Sequence, residues 1–213
     1  MDALLFSTLA VAIAEIGDKT QLLALVLAAR YRRAWPIVAG IVVATLLNHS
    51  LAAWLGELVG QWLDPRWLRW FVVASFFAVA LWALVPDKLD DDGAPKLPKY
   101  GPFVATTIAF FLVEIGDKTQ VATIVLAARY DPLWQVVAGT TLGMVIANAP
   151  VVLLGAKFAA KLPLKAARWA AAAIFAALGI WVAIHGLPAT APAAVPAPAL
   201  EPALEPGLAP SLG

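Results

Sequence analysis

The sequence predicts an all-α integral membrane protein with six transmembrane helices, arranged as two inverted three-helix repeats. Three observations support this prediction: an apolar composition, uncharged stretches long enough to cross a bilayer, and a repeat of the chain at an offset of 99 residues. Of the 213 residues, 62% are hydrophobic and 14% are charged, against roughly 45–50% and 25% in soluble domains. The formal net charge of +1 offers no basic surface for nucleic acid. Without cysteine there is no disulfide or thiolate metal site.

The predicted helices follow the apolar stretches. A spanning helix needs about 20 mainly apolar residues, and residues 34–56 and 132–156 contain no Asp, Glu, Lys or Arg. Two further apolar regions are each interrupted once by Glu-Ile-Gly-Asp-Lys. Tryptophans lie near most of the predicted ends, as they do at membrane interfaces. We predict helices over about 4–29, 35–60, 67–86, 102–128, 134–160 and 166–186.

These helices divide the chain into four parts. Residues 1–86 form the first repeat and 102–186 the second, with a cytoplasmic linker at 87–101 between them. The Pro/Ala-rich segment 187–213 has no hydrophobic periodicity, so we expect it to be disordered.

The repeat is visible directly in the sequence. The heptapeptide Glu-Ile-Gly-Asp-Lys-Thr-Gln occupies 15–21 and again 114–120, and 17 of the 26 positions from 15 to 40 are identical in the second copy. Each copy contains three predicted helices. Because three is odd, the second copy enters the membrane from the opposite side. Secondary transporters are often built from such inverted repeats, with the binding site near the bilayer midplane, although channels can be built in this way too.

Lysine and arginine predict the orientation. The loops after predicted helices 1, 3 and 5 contain ten of the 15 Lys and Arg, whereas the opposite side contains Arg66, Arg69 and Arg129. Positively charged loops tend to stay in the cytoplasm. We therefore expect both termini to lie outside the cytoplasm.

Six charged residues lie near the midpoints of predicted helices 1 and 4. A charge at that depth costs at least about 2.5–3.5 kcal/mol, which packing alone does not explain. Residues three and four apart share a helix face, and the repeat brings the two faces together. Oxygen ligands suit Mg²⁺, Ca²⁺ or Mn²⁺ rather than Zn²⁺ or Cu⁺. The candidate metal ligands are Glu15, Asp18, Glu114 and Asp117, with Lys19 and Lys118 beside them.

The charge of this cluster favours exchange of a divalent cation for protons. Four carboxylates and two ammoniums carry a formal charge of −2, which one divalent cation neutralises. Crowded carboxylates also favour one another's protonation, so metal and protons could compete for one set of oxygens. The alternative is two intrahelical Glu–Lys pairs that only neutralise each other, but these leave one uncompensated Asp in each motif.

The other motif residues have auxiliary roles in this interpretation. The glycines Gly17 and Gly116 allow either a locally opened helix or close packing, and the sequence does not distinguish the two. The motif glutamines lie on the same side as the acids, and we expect the motif threonines to bond their own helix or a neighbour. The auxiliary set is Lys19, Lys118, Gln21, Gln120, Thr20 and Thr119.

Three polar residues lie at the midpoints of predicted helices 2 and 5. Asn48 and Asn148 are either ion ligands or hydrogen-bond partners of the motif carboxylates, and we favour the second role. His49, which aligns with Asn148 in the repeat, is a candidate proton relay or a packing residue.

Two copies of Glu-x-Gly-Asp-Lys-Thr in a six-helix inverted repeat resemble the family of Golgi-type Ca²⁺/Mn²⁺:H⁺ antiporters, whose bacterial members include MneA-type manganese exporters. The resemblance covers about 4–186. It implies export of Mn²⁺, or Ca²⁺, from the cytoplasm against protons, without a cofactor. It also implies cation binding by Glu15, Asp18, Glu114 and Asp117. We expect a multi-pass protein of a bacterial inner membrane; the motif does not determine the ion or the oligomeric state.

Three other functions are weighed against this one. A passive divalent-cation channel and an amino-acid exporter are compatible with the helix count. An intramembrane aspartyl protease would use Gly-x-Gly-Asp, but the first glycine is absent here and each Asp is followed by a Lys. A shared-proton dyad beside two ammoniums would not form readily, so the sequence predicts no enzyme.

Overall fold

The computed structural model describes residues 3–85, 100–155 and 163–186. Within these ranges all regular structure is α-helical, and no strand is present. The described ranges contain eight helices: α1 (Ala3–Ala14), α2 (Lys19–Tyr31), α3 (Ala34–Trp62), α4 (Pro65–Ala83), α5 (Pro102–Glu114), α6 (Lys118–Arg129), α7 (Leu133–Leu154) and α8 (Leu164–His185).

Four of these helices are long and apolar enough to cross a bilayer: α3, α4, α7 and α8. Helices α1 and α5 are apolar but shorter. Many large apolar side chains point outward, including Trp35, Leu47 and Ile146. A soluble protein rarely exposes a contiguous apolar surface, whereas a lipid-facing surface is apolar. The chain is therefore a multi-pass membrane protein.

Two of the six predicted helices are broken, which corrects the prediction. The span predicted over 4–29 consists of α1 and α2, and the span predicted over 102–128 consists of α5 and α6. The breaks fall at the repeated motif. Gly17 has φ +84° and Gly116 has φ +76°, a left-handed conformation that glycine adopts without the steric cost of a Cβ. A right-handed helix cannot continue through such a residue, so each motif ends one helix and starts the next.

The other four predicted helices are observed with shifts at their ends. Helices α3, α4, α7 and α8 correspond to the predictions over 35–60, 67–86, 134–160 and 166–186. Helix α7 ends at Leu154, before the predicted end at residue 160. The predictions for most of the linker, for residues 156–160 and for the tail 187–213 fall outside the described residues.

The two repeats pack crosswise. Helix α7 of the second repeat packs against α1 of the first, and α3 of the first packs against α5 of the second. A Cβ at Gly139 would lie 2.5 Å from the carbonyl oxygen of Leu4, and one at Gly40 would lie 2.8 Å from that of Phe103. The two glycines are 99 residues apart, and so are Leu4 and Phe103, so the two contacts are equivalent in the repeats. The absence of a Cβ thus lets each long helix approach the broken helix of the other repeat.

Helices α4 and α8 form a second contact between the repeats. Phe76 and Phe175, which are equivalent positions 99 residues apart, stack with ring centroids 6.4 Å apart and planes 24° apart. Both rings are almost completely buried. The stack thus joins equivalent positions of the two sequence repeats.

The crosswise packing makes a prediction about Gly139. In the Gly139→Ala variant the new methyl group meets the backbone of α1, so we expect destabilisation by about 1–3 kcal/mol through overpacking. Thermal unfolding of the detergent-solubilised protein measures this. The matched control is Gly60→Ala, whose Cβ would lie 3.5 Å from the nearest atom. If the two variants lowered the melting temperature equally, the close approach of α7 and α1 would not depend on Gly139.

Candidate cation site

The site is built where the two broken helices begin again. Asp18 and Asp117 are the N-cap residues of α2 and α6, with extended backbones (φ −78° and −80°, ψ 165° in both). N-cap aspartates commonly accept a hydrogen bond from a backbone N–H in the first turn of their helix, but neither side chain makes such a capping bond here. Both carboxylates instead take part in the buried cluster between the repeats.

The motif glutamines hold the breaks in place. The Gly17 N–H donates to Gln21 Oε1 at 2.8 Å, and the Gly116 N–H donates to Gln120 Oε1 at 2.7 Å. These bonds satisfy backbone donors that the interrupted helix leaves without a partner. The Nε2 atom of Gln21 then donates to the carbonyl of Ala147 at 2.9 Å. Each glutamine thus acts on the backbone, a role that the sequence analysis did not assign. The constant spacing of Gly and Gln in both motifs is the signal that could have indicated it.

Four carboxylates meet at the interface of the repeats. One oxygen from each lies within 4.8 Å of the oxygens of the other three. The four side chains are at most 2% exposed. The sequence analysis expected them to meet as faces of continuous helices. They meet instead because both chains break at this depth, so each acid comes from the end or the start of a half-helix. The residues are Glu15, Asp18, Glu114 and Asp117.

Each motif lysine pairs with the aspartate of the other repeat. Lys118 Nζ lies 2.6 Å from Asp18 Oδ1, and Lys19 Nζ lies 3.0 Å from Asp117 Oδ1. The pairs therefore run between the repeats, not within one helix as the Glu–Lys alternative required. Buried ammoniums offset part of the charge of buried carboxylates, and these two pairs also join the repeats.

The glutamates have neutral partners instead. Thr20 Oγ1 donates to Glu15 Oε2 at 2.6 Å, and Thr119 Oγ1 donates to Glu114 Oε2 at 3.0 Å. Each threonine thus bonds an acid of its own motif, beyond the break. The second oxygen of each glutamate, together with Asp117 Oδ2, is buried without a hydrogen-bond partner in the described part of the chain. Buried polar atoms normally have a partner, so these three oxygens are available to bind a cation or a proton.

The amides of the two asparagines donate to backbone carbonyls in the described part of the chain, whereas the sequence analysis favoured bonds to the motif carboxylates. Asn48 Nδ2 donates to the carbonyl of Phe111 at 3.0 Å, and Asn148 Nδ2 donates to that of Met144 at 3.1 Å. The Phe111 carbonyl is in the last turn of α5, where helical donors are missing because the chain breaks. Asn48 thus stabilises the broken end of α5. Its Oδ1 also accepts from Gln120 Nε2 at 3.5 Å.

His49 is completely buried, and neither ring nitrogen has a hydrogen-bond partner among the residues that the structure describes. No hydrogen bond connects it to the four carboxylates in that part of the chain. Its role as a proton relay stays a prediction.

Comparison with known proteins identifies the family. A family model described as "Divalent cation/proton antiporter GDT1" matches the chain twice, over residues 3–91 and 102–190. The chain belongs to the GDT1 family. The family is one of transporters, not of enzymes, and its two matches correspond to the two copies of the motif.

Individual relatives agree with this assignment. A Vibrio cholerae protein named "Putative manganese exporter" is 55% identical over 176 residues, covering 82% of this chain and 87% of the relative. A GDT1-like protein of Synechocystis is 33% identical over 71% of this chain and 82% of the relative. GDT1-like protein 5 of Arabidopsis thaliana is 27% identical over 79% and 89%. No solved structure matches the chain significantly.

The break at Gly116 makes a prediction. Apart from Gly116 itself and its two chain neighbours, no atom of the described chain lies within 4 Å of a Cβ built there. Gly116→Ala should therefore be destabilising only through its left-handed backbone, by about 1–2 kcal/mol. Asparagine adopts this conformation more readily, so Gly116→Asn should recover most of the loss. Thermal unfolding in detergent measures both variants. Equal destabilisation by alanine and asparagine would show that φ is not the reason for glycine here.

Proposed function

We propose that this GDT1-family protein exports a divalent cation, Mn²⁺ in preference to Ca²⁺, from the cytoplasm in exchange for protons. The observation that supports this most directly is the buried cluster of four carboxylates contributed equally by the two repeats. Ionisable groups inside a membrane protein mark ion or proton pathways. The family description adds the cation/proton exchange.

The charge of the site supports a divalent substrate. With two ammoniums paired to the aspartates, the four carboxylates retain a formal charge of −2. Such a charge is costly in a low-dielectric interior unless it is compensated. One divalent cation compensates it, and so do two protons. Metal and protons then exclude each other from the same oxygens, which couples their movements without a second site.

The ligand chemistry supports Mn²⁺ or Ca²⁺. Carboxylate oxygens suit hard cations, and no thiolate is present to favour a softer metal. The name of the 55% identical Vibrio cholerae protein favours manganese. The cation is a substrate here and not a resident cofactor.

We further propose that α1–α2 and α5–α6 each cross the membrane as one broken span. Together with α3, α4, α7 and α8 they give six spans, as two inverted repeats. Half-helices whose N-termini and unwound backbone meet at the midplane are the usual transporter arrangement for an ion site. The distribution of Lys and Arg then leaves both termini outside the cytoplasm of a bacterial inner membrane. Rocking of one repeat against the other would expose the carboxylates to each side in turn.

Transport by the purified protein in proteoliposomes tests this function. We expect an imposed pH gradient to drive uphill accumulation of Mn²⁺, with slower movement of Ca²⁺ and little of Mg²⁺. Each cation is tested with and without the gradient, and protein-free liposomes are the control. Movement only down the cation's own gradient would indicate a channel. The absence of any divalent-cation transport would contradict the proposal and leave an amino-acid exporter to be tested.

Substitution of one acid tests the site. Asp117→Asn keeps the size of the side chain but removes a charge that faces both the cluster and Lys19. We expect Mn²⁺ transport to fall to below about a tenth of the wild-type rate, since even residues that only orient metal ligands are worth about 10–100-fold. Asp131→Asn makes the same change at an exposed acid and should transport normally. Gel filtration checks that both variants fold. Wild-type transport by folded Asp117→Asn would contradict the shared carboxylate site.

A further inference from the structure

The two motif breaks have the same sequence but different surroundings. A Cβ at Gly17 would lie 2.9 Å from Leu164 Cδ2, because the first residue of α8 covers this break. At Gly116, no described residue other than its two chain neighbours comes within 4 Å of the equivalent Cβ position. Among the described residues, a neighbouring helix therefore covers the break at Gly17 and none covers the break at Gly116, which is itself exposed.

The side chains near Gly116 are also more exposed than their equivalents near Gly17. In the Lys118–Asp18 pair the side chains are 4% and 0% exposed. In the Lys19–Asp117 pair the lysine is 24% exposed and the aspartate 2%. Ile115, beside Gly116, is 54% exposed, whereas its equivalent Ile16 is only partly exposed.

The exposed lysine indicates water on the uncovered side. A charged group within a membrane protein faces the protein interior or a water-filled cavity, because contact with lipid chains is too costly. The ammonium of Lys19 contacts Asp117, and 24% of the Lys19 side chain is exposed at the surface. These exposures favour an aqueous path to the carboxylates on the side of Gly116, whereas Leu164 covers the side of Gly17.

We propose that Leu164 is the gate of one access route to the carboxylate site, and that this structure is a state open only on the Gly116 side. This proposal rests on the proposed transport function. The residue equivalent to Leu164 in the first repeat is position 65, the start of α4. In the opposite state, the two repeats exchange their arrangements. The start of α4 then covers Gly116, and Leu164 moves away from Gly17. An apolar side chain over a break without a Cβ closes the path and moves with its own helix.

The proposed topology assigns sides to these routes. Lys165 and Arg168 lie in the first turns of α8, next to Leu164, and belong to the positive side. On that topology Leu164 closes the cytoplasmic route, and the open route leads to the external side.

Cysteine labelling tests the gate without requiring transport. The chain has no native cysteine, so Ile16→Cys and Ile115→Cys each introduce a unique thiol. In proteoliposomes free of divalent cations, we expect a charged, membrane-impermeant maleimide to label Ile115→Cys several-fold faster than Ile16→Cys. The reagent should act from one side of the membrane only, the external side on the proposed topology.

Removal of the gate side chain should then open the closed side. Leu164→Ala in the Ile16→Cys background should raise its labelling rate several-fold and leave that of Ile115→Cys unchanged. The matched control is Leu47→Ala, which truncates an exposed leucine of α3 and should change neither rate. Gel filtration checks folding, and the comparison of the two cysteines with Leu164 intact does not depend on the alanine variant.

Any of three results would contradict the proposal that Leu164 is a gate. The two cysteines could be labelled at equal rates, or Leu164→Ala could have no effect in a folded protein. The third result is that only a lipophilic maleimide labels Ile115→Cys. The last would place Ile115 against lipid. The expected labelling in a protein that transports no divalent cation would support the gate and contradict the proposed function. Normal transport with equal labelling would contradict the gate alone.

Discussion

The structure is organised around the need to stabilise four carboxylates inside an apolar protein. Their mutual repulsion and the loss of hydration both oppose folding. Two ammoniums offset half of the charge, and each comes from the repeat opposite to the aspartate that it contacts. Two threonine hydroxyls bond the glutamates. The compensation therefore exists only when both repeats are in place, so the site and the association of the repeats depend on the same interactions.

The broken helices follow from this constraint. A continuous helix would use its backbone groups internally and would spread the acids along its surface. The left-handed glycines end α1 and α5, and the freed backbone groups find partners in the Gln21, Gln120 and Asn48 side chains. The long helices α3 and α7 supply the surfaces against which the breaks are held, and Gly40 and Gly139 allow them to come close. Polar side chains that resemble ion ligands in the sequence thus act largely on the backbone.

Duplication explains the symmetry of the site, and divergence explains its asymmetry. The acids, lysines, threonines and glutamines of the two motifs are identical. Around them the repeats differ: Asn48 aligns with Ala147, His49 with Asn148, and Leu164 with position 65. In the proposed transport cycle, the two access routes to the cation would then have different barriers even though the motif acids are equivalent. An exchanger needs such a difference between its two states, since a site open to both sides at once would conduct passively.

The sequence by itself determined the membrane class, the duplication, the four longer helices and the residues of the cluster. These features depend on composition, periodicity and identity at a constant offset, which are properties of the chain alone. The predicted continuous helices over 4–29 and 102–128 were wrong, and the side-chain amides of Asn48 and Asn148 donate to backbone carbonyls. Only the tertiary structure decided that each lysine pairs with the aspartate of the other repeat, that the glutamines hold the breaks and that Leu164 covers Gly17. The reason is physical: a glycine permits either a helix or a break, and the choice depends on partners more than 60 residues away in the chain, which local sequence patterns do not describe.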